Sequence, residues 1–200
     1  MKLTDHVEHI RQLIDQAFNN RLGRMGLNSG QILPIESIPA EYKSDRRRIE
    51  TIREVFINET GSPKDAFIKL VEELNFTLFN RLAALKVMEA HTLHPEIITR
   101  RDTHGGRSFS HLAWLEQNPD GRTLEAEGLI PFIEDQFNKI SSDIPLFGLN
   151  HPYHLLPTAI ELKGIIEAFN DVELDTQVEA EIWKSDDILG WLYESYNNFK

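Results

Sequence analysis

The sequence predicts a mostly or all-α fold, an irregular multi-helix domain with a long central helix, on three observations. Apolar residues recur at helical spacing in stretch after stretch. No stretch alternates with the period of two that marks a half-buried strand. One stripe, from Phe67 through Leu70, Val71, Leu74, Leu78, Leu82 and Leu85 to Met88, keeps the helical period for about six turns.

The elements follow in order. Val7, Ile10, Ile14, Ala17 and Phe18 predict a first helix, with Thr4 as its cap and Gly23 as its stop. Gly30, Pro34 and Pro39 make the next stretch a loop, pinned by Ile32, Ile35 and Ile38. A second helix is expected over 44–58, with Ile49, Ile52, Val55 and Phe56 inward. Gly61-Ser62-Pro63 is a strong start signal: a serine cap, proline at the first helical position and Asp65 in the first turn. The long helix runs from there to about His91. Past an irregular stretch, helices are expected over 110–117, 124–141, 158–169, 176–184 and 186–198. In the last of these Ile188, Leu189, Trp191 and Leu192 are read as inward. The chain divides into an N-terminal helix and loop, 1–43, and a helical domain, 44–200.

Composition narrows the function classes. The 200 residues are 40% hydrophobic and 26% charged, which describes a folded chain rather than a disordered one. There is no cysteine, which removes disulfides, thiolate zinc sites and a cysteine nucleophile. No apolar run approaches the length of a membrane span, and a cytoplasmic location with no membrane partner is expected. A net charge of −11 argues against binding nucleic acid by bulk electrostatics. That charge is uneven, with eight basic and seven acidic residues in the first fifty against three and ten in the last fifty. The single basic run, Arg46-Arg47-Arg48, is the candidate contact to a DNA backbone.

Motifs with their own chemistry are weak. His91/His94 and His151/His154 have the spacing of paired metal ligands, but each pair adjoins a proline and no further ligand completes a site, so no metal is expected. Asp143 followed by Glu161-Leu162-Lys163 imitates a nuclease pattern whose carboxylates belong on strands, whereas this stretch reads as helix. Asn150-His151-Pro152-Tyr153 is one residue away from the Asn-Pro-Pro-Tyr of amino-group methyltransferases and reads as a turn. Gly105-Gly106 lacks the lysine and the preceding strand of a phosphate loop. No catalytic residue is assigned.

Two longer segments carry a resemblance. Leu78-Phe79-Asn80-Arg81-Leu82-Ala83-Ala84-Leu85-Lys86-Val87-Met88-Glu89 resembles a helix of the large adenine-specific DNA methyltransferases of BREX phage-defence systems, relatives of type IIG restriction–modification enzymes. Asp187-Ile188-Leu189-Gly190-Trp191-Leu192-Tyr193-Glu194-Ser195-Tyr196 is similar to a second signature of that family. Ile144-Pro145-Leu146-Phe147 and Leu155-Leu156-Pro157 match landmarks between them. Order and spacing hold over about 50–198. The resemblance implies the N-terminal helical part of a longer enzyme, cut near 197–200, whose cofactor loop and Asn-Pro-Pro-Tyr motif lie further on. S-adenosylmethionine is then expected in the full-length enzyme and not here. The implied partners are the methyltransferase domain of the same chain, double-stranded DNA through the whole enzyme, and other defence-system proteins. The alternative is a standalone helical interaction module.

The resemblance marks Asn80, Arg81, Glu89, Gly190, Trp191 and Tyr193 as structural signature residues. Two expectations compete for Arg81: with Asn80, buried hydrogen bonds that cap or tie neighbouring helix ends, or, with Lys86, a position facing DNA phosphate or the enzyme's catalytic domain. Trp191 is expected in the core and Tyr193 nearer the edge.

Overall fold

The computed structural model describes residues 1–198. Seven α-helices are present among them and no strand: α1 (Leu3–Arg24), α2 (Lys43–Thr60), α3 (Pro63–Ala90), α4 (Phe109–Gln117), α5 (Leu129–Ile140), α6 (Ala159–Leu174) and α7 (Ile188–Asn197). Short 3₁₀ turns fill the connections, and the bridges Leu27–Ile32 and Arg101–Arg107 are isolated. No helix is long and apolar enough to cross a membrane.

The helix starts follow the residues that can cap them. The Ser62 hydroxyl accepts from the Asp65 N–H at 3.3 Å, with Pro63 in the first turn as expected. Thr158 and Glu161 form a reciprocal capping box on α6. Thr4, by contrast, lies inside α1, where the Asp5 carboxylate accepts the Lys2 N–H at 2.9 Å and starts the helix two residues earlier. Gly23 is helical too, and Gly26, at φ +73°, is where the chain turns away. A Cβ on Gly26 would come within 2.9 Å of Leu33 Cβ and 3.1 Å of Arg46 Nη1, so glycine serves both the turn and the close approach.

Two expected helices change form. The stretch 124–128 is an extended residue, the 3₁₀ turn Glu125–Glu127 and a left-handed glycine rather than the start of α5, because the backbone bends over Trp114. A Cβ at Gly121 would lie 2.5 Å from that ring, and Gly128 has φ +69°. Residues 176–181 are turn and loop, and only Ile182–Lys184 make a 3₁₀ turn there.

α3, about 42 Å long, is the axis. It packs on α2 and α1, touches α6, and leaves Leu70, Leu74, Leu82 and Leu85 with no exposed surface. α1 packs on α6, α3 and α7, so Val7, Ile10 and Phe18 share one hydrophobic core with the later helices. The division at 43/44 therefore does not separate two cores. Val55 and Leu189, expected inward, are half exposed, and Ile32 is exposed in its loop. Trp191 is also a correction, at 37% exposure. Ile188, Leu192 and Tyr196 form the buried face of α7, and Trp191 falls on its flank.

Candidate functional site

Arg81, in the middle of α3, is 1% exposed. A buried guanidinium is costly unless its donors are used, and the Pro/Gly-punctuated stretch before α6 supplies acceptors. Nε donates to the Leu146 carbonyl at 2.7 Å and Nη2 to the Gly148 carbonyl at 3.0 Å. Nη1 lies 2.8 Å from His154 Nδ1. Arginine can only donate, so Nδ1 accepts and the hydrogen-bond network assigns the imidazole proton to Nε2. The guanidinium also lies over the Phe137 ring, 5.1 Å from its centroid. Burial lowers the Arg81 pKa to about 10, which leaves it cationic at neutral pH.

A second buried cluster lies further along the same helix. Lys86 Nζ reaches Thr99 Oγ1 at 2.9 Å, Asn170 Oδ1 at 3.3 Å and Glu173 Oε1 at 2.8 Å. Glu89 accepts the backbone N–H groups of Ile97, Ile98 and Thr99 at 2.9, 3.1 and 2.9 Å. Burial pushes the Glu89 carboxyl up to about 7, against those donors and the Lys86 charge. Asn170 completes the tie by donating to the Ile98 carbonyl at 2.9 Å. An irregular segment has no ladder of its own, and the two clusters hold 97–100 and 146–154 against α3.

These positions overturn the DNA-contact expectation for Arg81 and Lys86, which face the interior and cannot reach a phosphate in this fold. The basic run divides similarly. Successive helical residues point about 100° apart, so the three arginines meet three environments. Arg46 is 2% exposed and donates to the Met25 and Leu33 carbonyls at 2.6 and 2.8 Å. Arg48 holds the Pro152 carbonyl at 3.1 Å and also bonds the His154 carbonyl. Arg47 is on the surface, and Arg48 is half-buried. A cleft of about 370 Å³ beside His154 gathers Arg21, Arg24 and Arg48, but Asp45 accepts from Arg21 at 2.9 Å and Glu161 from Arg24 at 3.1 Å. It carries no surplus of positive charge.

The motif-like residues lie apart. Asn150–Tyr153 is a turn in which the Tyr153 N–H donates to His151 Nδ1. Glu161 belongs to the α6 cap, and Lys163 is exposed. Gly105 and Gly106 form a left-handed turn between the bridged Arg101 and Arg107. The described residues form no metal-binding group of three or more His, Cys, Asp or Glu.

Two of the remaining signature residues, Asn80 and Tyr193, meet at one place. α3 and α7 enclose a groove of about 220 Å³ lined by Phe76, Asn80, Ala83, Leu189, Tyr193 and Tyr196. The Tyr196 ring packs 4.8 Å from Phe79 and 5.5 Å from Phe76. Leu189 and Tyr193, one turn apart on α7, stay 54% and 59% exposed, and Asn80 is half-buried beside them. Gly190 has open space around its Cα. Thr99, Asn170 and Glu173 were not singled out by the sequence, and His154 stood out there only as one of a histidine pair. The readable signal was a charged residue on an otherwise apolar helix, which must find acceptors in whatever irregular segment crosses it.

The class of protein that the fold defines is an all-α, multi-helix domain. In comparison with known proteins, no family model, no curated protein and no solved structure matches this chain.

Proposed function

We propose that this chain is a helical, non-catalytic domain of an adenine-specific, S-adenosylmethionine-dependent DNA methyltransferase of a phage-defence or restriction–modification system. It acts as a scaffold and docking element. In this reading the cofactor and the flipped adenine belong to the methyltransferase domain, and this domain positions that part of the enzyme.

One observation carries the reading. The two segments that resemble the family, about a hundred residues apart in sequence, lie side by side across the groove between α3 and α7. Their buried members tie the fold together, while Leu189 and Tyr193 are left facing outward. Two large apolar side chains one turn apart on an exposed helix face, beside a groove, suit an interface. With Arg46, Arg81 and Lys86 buried, the role that fits is docking to protein rather than a basic face for DNA.

In-frame removal of the coding sequence for 3–197 from the chromosomal gene tests this. Single-molecule sequencing of the genomic DNA should show loss of N6-methyladenine at the host recognition site. Unchanged methylation would instead favour the standalone interaction module.

A further inference from the structure

The cleft beside His154 lies between the starts of α2 and α5 and the segment that leads into α6, on residues that the docking reading above does not use. Its volume of about 370 Å³ suits a small molecule. Tyr42, Leu124, Ile130, Pro131, Leu155 and Leu156 give it apolar walls. Its cations are engaged: Arg21 and Arg48 bond Asp45, and Arg24 bonds Glu161. One donor is left over. Arg81 occupies His154 Nδ1, which leaves the imidazole proton on Nε2. Nε2 has no hydrogen-bond partner among the described residues, and Glu134 Oε1 stands 3.9 Å away, beyond hydrogen-bond reach. His154 is 9% exposed, and it lines the cleft together with Glu134, so the cleft is where the Nε2–H can meet a ligand.

We propose that the cleft binds a small, uncharged, largely apolar molecule that carries an amide. The amide carbonyl accepts from His154 Nε2–H, and the amide N–H donates to the Glu134 carboxylate. The 3.9 Å gap selects this chemistry. A single oxygen, of water or of a hydroxyl, would have to meet both groups at roughly a right angle to reach each at about 2.8 Å. The oxygen and nitrogen of an amide edge share the span, one bond each, without that compression. An ammonium would pair with Glu134 but turn a donor toward the Nε2–H. A carboxylate would accept from Nε2 but set its charge beside that of Glu134. Burial of the ligand's body against the apolar walls supplies affinity, and the amide fixes its orientation.

The test uses the full chain and four probes built on one ring: benzamide, benzoate, benzylamine and toluene. Heteronuclear NMR of the imidazole nitrogens should show saturable benzamide binding that moves the His154 Nε2 resonance, with a Kd of about 10 mM or tighter. The other three probes should bind at least about tenfold more weakly. The Glu134 side chain is 44% exposed and has no hydrogen bond among the described residues, so Glu134→Ala and Glu134→Lys should keep the fold, which circular dichroism checks. Glu134→Ala should weaken benzamide about tenfold, and Glu134→Lys should move the preference from benzamide to benzoate. Equal binding of the four probes, or a parent chain that prefers benzoate or benzylamine, overturns the proposal. So does an unmoved Nε2 resonance, unchanged benzamide affinity in Glu134→Ala, or absence of benzamide binding at about 10 mM.

Discussion

α3 and α7 hold the two segments on which the family resemblance rests, and they place their residues in opposite ways. α3 buries charge: Arg81, Lys86 and Glu89 are all less than a tenth exposed, each bonded to a segment outside its own helix. α7 exposes apolar surface at Leu189 and Tyr193. A buried charge on an apolar helix serves as an anchor for irregular chain, because such a side chain can satisfy several loop carbonyls or N–H groups at depth. An exposed apolar pair on a helix serves the interior poorly and an interface well.

The largest effect that would sharpen this contrast is expected at Arg81. Arg81→Met leaves the Leu146 and Gly148 carbonyls and His154 Nδ1 without their donor, at a cost of about 3 kcal/mol or more. Arg81→Lys should recover only part, since an ammonium lacks the planar fork that reaches all three. Urea denaturation followed by circular dichroism measures both, and a loss under about 1 kcal/mol for Arg81→Met would break the anchor account.

Glu89→Gln is expected to cost less than Glu89→Ala, because the amide oxygen still accepts one or more of the three backbone N–H groups. The pH dependence has a definite sign. With the folded pKa raised to about 7 above an unfolded value near 4.5, the folded state holds the proton more tightly. Glu89 therefore makes stability fall as pH rises from about 4.5 through 7, and Glu89→Gln should remove that slope from the denaturation profile. Asp175 has the opposite sign. The N-terminal ammonium first, then the Gln177 N–H and His6, hold its carboxyl below the usual range. Its contribution is present above an unfolded pKa near 4 and is lost as pH falls further. A profile of Asp175→Asn that parallels the parent below pH 4 would contradict this.

The basic run gives a smaller-scale version of the contrast. Arg46→Ala should destabilise by about 2–3 kcal/mol, since two buried carbonyls lose their donor. Arg47→Ala should change stability by no more than about 0.5 kcal/mol. Three adjacent arginines look alike in sequence, and the 100° step of the helix separates them. Equal melting temperatures for the two variants would refute that separation.

The sequence made legible whatever depends on local chemistry. The Ser62-Pro63 start and the apolar stripe of α3 both appear as read, because capping and periodicity act over a few residues. Gly23 against Gly26 was not legible, since the choice rests on Leu33 and Arg46 approaching from elsewhere in the chain. The same holds for the break before α5, which depends on Trp114 under Gly121 and Gly128. At the site, Arg81 and Glu89 could be singled out on a helix of apolar neighbours, but their partners could not. Those partners are mostly backbone groups of loops, which carry no residue-type signal. Trp191 was read as core because tryptophan usually is. Three neighbouring positions on α7 fill the interior first, and the indole is left on the flank.

The most direct test of the central claim, that α3 anchors the fold while α7 presents a surface for the enzyme's other part, is one double variant measured twice. Leu189→Asp with Tyr193→Ser, introduced at the chromosomal gene and in the purified chain, should leave the melting temperature within a few degrees of the parent. It should also strip N6-methyladenine from the host recognition site in genomic DNA. Methylation at the parental level, with the variant folded, would contradict it.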